Sequence, residues 1–148
     1  LLHRCQLRRH CICSCEIMSS SVAEAAAKER LHSSGEDYLK AIFILEAQHS
    51  SVRSVEVAEY MNVSKASVSH AVALLKKNGF LKMNQDYDLV LTDSGRAIAS
   101  CIYEKHCYFK DRLISAGVSP ETAEIEACRL EHCVSEESFH KLRKTYGY

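Results

Sequence analysis

Residues 54–91 carry a pattern that few folds can satisfy. A short helical segment covers about 54–61, with Val55, Val57, Ala58 and Tyr60 as its partly buried residues. Asn62-Val63 makes a tight turn, and a longer helical segment covers 65–78, with Val68, Val72 and Leu75 on one face. Ser54 and Ser64 stand where N-caps are wanted, and Gly79 falls at the C′ position after the second segment. Ala58 is small where two helices must approach closely, and Val63 is apolar in the turn, as a core plug would be. Short helix, turn and longer helix spell a helix-turn-helix. Two short strands, 80–83 and 87–91, follow at once, joined by Asn84-Gln85-Asp86. A hairpin in that place is a wing.

The remainder of the chain must be mostly helical. With one Pro and five Gly in 148 residues, a turn-dense β fold is excluded. Before the helix-turn-helix, Tyr38, Leu39, Ile42, Phe43 and Leu45 give a helix over about 36–48 a broad buried face, with Ser34 as its expected N-cap. After the wing, Thr92 caps a long helix whose stripe is Ile98, Ile102, His106, Phe109 and Leu113, closed by Gly117. Ser119-Pro120 puts Pro at N1 of the next helix, and Ser135 caps a last one over about 136–145. The fold class is therefore mainly α: a winged helix-turn-helix domain over 22–95, followed by a helical domain over 96–148. Residues 1–21 are basic, Cys-rich and aperiodic, and read as a disordered or spurious leader with Met18 as a candidate start; three close thiols, Cys11, Cys13 and Cys15, admit a metal-binding tail instead. Residues 23–31 favour helix by propensity.

Charge and cysteine usage narrow the class of function. Formal net charge is zero, so nucleic acid would have to be met by a local patch. No apolar run approaches the ~20 residues of a membrane span. Of eight cysteines, four crowd the first fifteen residues, and Cys101, Cys107, Cys128 and Cys133 lie in long helical patterns with no loop-rich framework to join them. This points to a cytoplasmic protein with reduced thiols.

The second helix of the helix-turn-helix supplies the patch. Its N-terminal turns present Ser64, Lys65, Ser67, Ser69 and His70, and it contains Lys65, Lys76 and Lys77 with no acid. Short polar side chains and a cation suit entry into a major groove, and Gln85 at the wing tip suits the backbone or minor groove. A winged helix used only for protein contact would carry an apolar turn here instead.

A different chemistry lies in residues 121–140. On a helix, Cys128, Glu131 and His132 stand at i, i+3 and i+4 and share one face, with Glu124 one turn earlier. Thiol, carboxylate and imidazole are common metal ligands. The same spacing serves a buried Cys beside two surface polar residues. Cys128 near His132 would also supply a nucleophile and a base, but no orienting third group or pocket is visible, and the chain does not read as an enzyme. His106, on an apolar stripe, is a core residue or a further ligand.

Taken in order, Asp37-Tyr38-Leu39, the 54–78 unit, Leu89-Val90-Leu91-Thr92, His106 and Glu126-Ala127-Cys128-Arg129-Leu130-Glu131-His132 resemble the metal-dependent transcriptional repressors of the diphtheria toxin repressor and manganese transport regulator family, over about 35–148. The resemblance implies a repressor of metal-homeostasis genes, active as a homodimer on palindromic operator DNA when loaded with Mn²⁺ or Fe²⁺. It also implies that the helical domain binds metal and dimerises, and that the ligands come from Asp37, His106, Glu124, Cys128, Glu131 and His132. Two positions depart from it. Lys40 stands where the manganese branch has a bridging Glu, and Lys110 where the iron branch has an acidic ancillary ligand, so one tightly bound ion per chain is expected, or a second bound only weakly through His106 and Glu124; the alternative is that either Lys swings outward on its long stem and leaves a binuclear site. The dimer is expected to use surplus apolar surface such as Leu130, Val134, Phe139 and Leu142. A winged-helix regulator without metal control, or a redox-responsive one, is the alternative.

Overall fold

The computed structural model describes residues 33–147; the leader and the 23–31 segment lie outside the described residues. Its elements are α1 (Ser33–Glu46), α2 (Ser54–Met61), α3 (Lys65–Lys77), β1 (Leu81–Met83), β2 (Leu89–Leu91), α4 (Asp93–Ser115), α5 (Pro120–Cys133) and α6 (Glu136–Tyr146). The expected winged helix-turn-helix and the helices after it are all present.

Local chemistry sets most of the boundaries. Ser64, Thr92, Ser119 and Ser135 each accept a hydrogen bond from the backbone N–H three residues on, at 3.1–3.2 Å. These bonds satisfy donors that a helix start leaves orphaned. Asn62, in the left-handed region at φ 54°, turns the chain between α2 and α3, and Gly79 at φ 78° ends α3. Two expected caps are corrected. Ser54 is already inside α2; the cap position is Arg53, whose N–H donates to the Glu56 carboxylate at 2.7 Å, so the side chain at N3 does the capping. Ser34 lies within α1. Val55 and Tyr60, expected to be partly buried, are 39% and 50% exposed, because α2 is covered mainly along Val57 and Ala58.

The two strands pair antiparallel with Lys82 opposite Val90. Leu89 N–H also donates to the carbonyl of buried Val52 at 2.7 Å, which ties the α1–α2 loop to the wing. The loop over 84–88 is wider than the sequence suggested, because Asn84 Oδ1 accepts from the N–H groups of Asp86 and Asp88 and holds them out of the ladder.

One apolar core gathers Leu39, Ile42, Leu45, Val57, Val68, Leu75, Leu81 and Leu89, and reaches Ala99 on α4. Gly95 allows this closure, since a Cβ there would lie 2.0 Å from the Phe80 carbonyl oxygen. Helix α4 is the spine: Phe43 of α1 meets its Tyr103, with centroids 5.9 Å apart. At its far end Tyr108 and Phe109 pack edge-on and tilted against Phe139 of α6. Phe139 is therefore core and not surplus surface, a correction to the expected dimer face. Leu130, Val134 and Leu142 remain half-buried, and Ile125 is 57% exposed.

Candidate metal centre

Between the two apolar regions lies a polar one, built from α1, α4 and α5. The spacing in α5 works as a helix face should: Cys128, Glu131 and His132 all turn inward toward α1 and α4. Glu131 is fully buried. Its Oε2 meets His106 Nδ1 of α4 at 2.8 Å. Its Oε1 pairs with the Lys40 ammonium of α1 and stands 3.3 Å from His132 Nε2. His132 is held from both ring nitrogens, by Glu36 Oε2 at Nδ1 (2.6 Å) and Asp37 Oδ1 at Nε2 (3.0 Å). Its side chain is 13% exposed, so neither it nor Glu131 is the surface group a simple amphipathic reading would make it.

The ligand-type atoms form two triads that share Glu131: His106 with Cys128 and Glu131, and Asp37 with Glu131 and His132. Within each, the atoms lie within 4.8 Å of one another. Donors around one first-row ion sit up to about 4.2–4.6 Å apart, twice a metal–ligand bond, so the donor spacing of each triad approaches that of ligands around one divalent cation. Five of the six residues expected as ligands are thus assembled. Glu124 is placed differently. Its Oε1 lies 3.1 Å from His106 Nε2 and its Oε2 lies 2.5 Å from Lys110 Nζ. It stands behind His106, where it orients the ring, and belongs to neither triad.

Two side chains complete the picture. Lys40 does not swing outward on its stem; it also reaches Asp37 Oδ1 at 3.6 Å and Cys128 Sγ at 4.0 Å. Glu36 was not singled out in the sequence, since its partner lies 96 residues away and adjacent helix positions face differently. The Cys128 thiol lies 3.7 Å from His106 Nδ1, so the imidazole beside it comes from α4 and not from His132 of its own helix.

Electrostatics follow from this crowding. Burial alone would lower the His106 pKa, but hydrogen bonds to Cys128 and Glu131 and the charges of Glu124 and Glu131 outweigh it and push it up to about 9. The Asp37 and Glu36 hydrogen bonds push His132 up to about 10, against a smaller opposing effect of burial. For Lys40, burial works downward, and Glu131 with Cys128 and Asp37 reverses it to a net rise. Burial works to raise the Glu124 pKa, but Lys110 and His106 overcome it and hold the carboxyl below its ordinary value.

On the other domain, Ser64, Lys65, Ser67, Ser69 and His70 are all exposed on one end of α3, and Gln85 is exposed at the wing tip. Ser64 and Ser67 are partly committed to each other, with their hydroxyls 2.8 Å apart. Leu74, 44% exposed, interrupts the polar surface further along α3. A groove of about 970 Å³, walled by Phe43, Tyr103, Arg96 and Arg112, shares no lining residue with the triads. No helix among the described residues is long and apolar enough to cross a membrane.

The chain was compared with known proteins. Residues 30–89 match the family model "Iron dependent repressor, N-terminal DNA binding domain", and residues 92–148 match "Iron dependent repressor, metal binding and dimerisation domain". The iron-dependent repressor IdeR of Mycobacterium tuberculosis is 34% identical over 110 residues, which is 74% of this chain and 48% of that protein. The diphtheria toxin repressor of Corynebacterium diphtheriae is 32% identical over 111 residues, 74% of this chain and 49% of that protein. The solved structure of the manganese regulator SloR superposes with a TM-score of 0.70 at 30% identity, over 77% of this chain and 54% of that one. The chain spans about half the length of the curated relatives it matches.

Proposed function

Because the chain belongs to the iron-dependent repressor family, we propose that it is a metal-dependent, DNA-binding transcriptional regulator and a repressor of metal-homeostasis genes, not an enzyme. It works in the cytoplasm as a homodimer on double-stranded operator DNA, with Fe²⁺ or Mn²⁺ as effector. The observation that carries this reading is the sharing of Glu131 between two ligand triads whose members come from α1, α4 and α5. Helix α1 belongs to the winged-helix core, and α5 belongs to the helical unit beyond it.

The residues that would hold an ion are Asp37, His106, Cys128, Glu131 and His132. A bound divalent ion supplies the positive charge that draws these donors together. The chain does the rest. Asp37 and Lys40 lie on the helix that leads into the helix-turn-helix, so their distance from Glu131 fixes how α3 sits relative to α5. In a dimer built on the α5 side, that distance sets the separation of two α3 helices, which must match about 34 Å of DNA. A ligand that favours one separation shifts the population toward it. Ser64, Lys65, Ser67, Ser69 and His70 meet the major groove, and Gln85 reaches from the wing.

The test is operator binding with and without metal. DNA sites are selected from a random duplex pool by the protein in Mn²⁺ or Fe²⁺ under reductant. Binding to the selected site is then measured in chelator and after metal return. Metal-restored binding supports the reading. A selected site bound equally in chelator, by protein shown to contain no metal, would count against metal control.

A further inference from the structure

The two triads are not equivalent, and Lys40 makes the difference. The carboxylate of Glu131 is divided. One oxygen faces the Lys40 ammonium, which also lies 3.6 Å from Asp37, so both carboxylates of the Asp37/Glu131/His132 triad already share a cation. The Lys40 side chain is only 12% exposed, and an ammonium is a compact point charge with three donors. It supplies positive charge to the two carboxylates that a divalent ion on that triad would have to share. The other oxygen of Glu131 faces His106 Nδ1, with Cys128 Sγ 3.7 Å from the same nitrogen. Lys40 reaches this group through the other oxygen of Glu131 and lies 4.0 Å from the Cys128 sulfur. Behind it, Glu124 fixes His106 through Nε2 and is itself fixed by Lys110. A carboxylate on the far nitrogen of an imidazole is the usual support of a metal-binding His.

We propose that the Lys40 ammonium is a resident cation of this centre, and that the chain binds one divalent ion on the opposite side of Glu131, through His106, Cys128 and Glu131. This rests on the metal-dependent reading and deepens it in two ways. A thiolate with an imidazole and a carboxylate suits an ion that accepts sulfur, which favours Fe²⁺ over Mn²⁺ as the effector. Lys40 is carried by α1 and grips α5, so the link between the two units stays partly closed when the ion is absent.

The test uses Co²⁺ as a probe of the full-length chain, with Cys5, Cys11, Cys13 and Cys15 replaced by Ser so that the leader thiols do not contribute. The expected result is one tight equivalent with a thiolate-to-cobalt charge-transfer band, and loss of that band in Cys128→Ser. Lys40→Glu should gain a second tight equivalent. Lys40→Met, the milder change if Lys40→Glu fails to fold, should gain a weaker one and lower the melting temperature in chelator. Two tight equivalents in the parent chain, or one with no thiolate band, would overturn this proposal while leaving metal control standing. No Co²⁺ binding by the parent or by either Lys40 variant would sink both.

Discussion

Glu131 is the residue on which both triads depend, and Glu131→Gln tests that dependence. The change keeps the shape and removes the charge from a side chain that is fully buried against Lys40, His106 and His132. Breaking a buried ion pair by removing one partner destabilises by about 3–5 kcal/mol, because the other charge stays behind unpaired. Gln can still accept from Lys40, which argues for the lower end, about 3 kcal/mol. Whole domains are stable by only about 5–15 kcal/mol, so this is a large fraction. With a urea m-value of about 2 kcal/mol/M, the midpoint in chelator should fall by about 1.5 M. The loss must also depend on pH. In the folded chain the pKa values of His106 and His132 are raised to about 9 and about 10, from an unfolded value of 6.5. Their contribution to stability is complete below 6.5 and disappears as pH rises through those folded values. Glu131 is one cause of each rise, mainly that of His106, so the gap between the two proteins should narrow from pH 6 to pH 10 by that part, leaving the part due to Lys40. A midpoint shift below about 0.3 M, or a gap that widens with pH, would refute the idea that Glu131 is the buried counter-charge of this centre.

Three further outcomes are expected. Metal binding must displace the His106 proton, so proton release measured in weakly buffered Fe²⁺ titrations should be about one or more per ion at pH 7, and affinity should rise about tenfold per pH unit for each proton displaced until pH passes about 9. Gly95→Ala, which would add about 1 kcal/mol at an ordinary helix position, should instead destabilise by about 3 kcal/mol, because its Cβ would lie 2.0 Å from the Phe80 carbonyl oxygen; an unchanged or higher melting temperature would contradict that packing. Lys65→Ala on the exposed end of α3 should weaken operator binding and reduce the slope of log affinity against log salt by about 1, and an unchanged slope would remove Lys65 from the phosphate contacts.

The parts of the fold legible in the sequence were those written locally. Caps at Ser64, Thr92, Ser119 and Ser135 and the positive-φ glycines at 79 and 117 each act within one helical turn, so a short window holds the whole signal. The Arg53–Glu56 cap was missed although it too is local, since Ser54 offered a more familiar residue one place away. The centre divides the same way. Cys128, Glu131 and His132 share a face by spacing alone, and their family likeness drew in Asp37 and His106. What spacing could not supply was direction across the fold: that Lys40 points at Glu131, that Glu36 closes on His132, and that Phe139 turns into an aromatic cluster and not toward a partner. Those are contacts between residues 30 to 96 positions apart, decided by how α1 and α6 lie on α4.

The position of this polar centre suits the proposed control by a bound cation. On one side of it α4 closes the winged-helix core at Ala99; on the other it carries the Tyr108, Phe109 and Phe139 cluster. Interdigitated apolar side chains hold one arrangement and respond little to solutes. Had α1 met α5 through such packing, their separation would be fixed. They meet instead through carboxylates, imidazoles, a thiol and one ammonium. The attraction among these groups depends on how many cations are present, and burial of Glu131 keeps water from screening it. Lys105, buried beneath α5, donates to the Val134 carbonyl at 2.6 Å and anchors the C-terminal end of that helix to α4. With α5 anchored there, Lys40 of α1 meets Glu131 of α5 beside α4, and α1 is continuous with the core that positions α3. On the proposed reading, a change in cation count at Glu131 acts on the helix that leads into the winged-helix core.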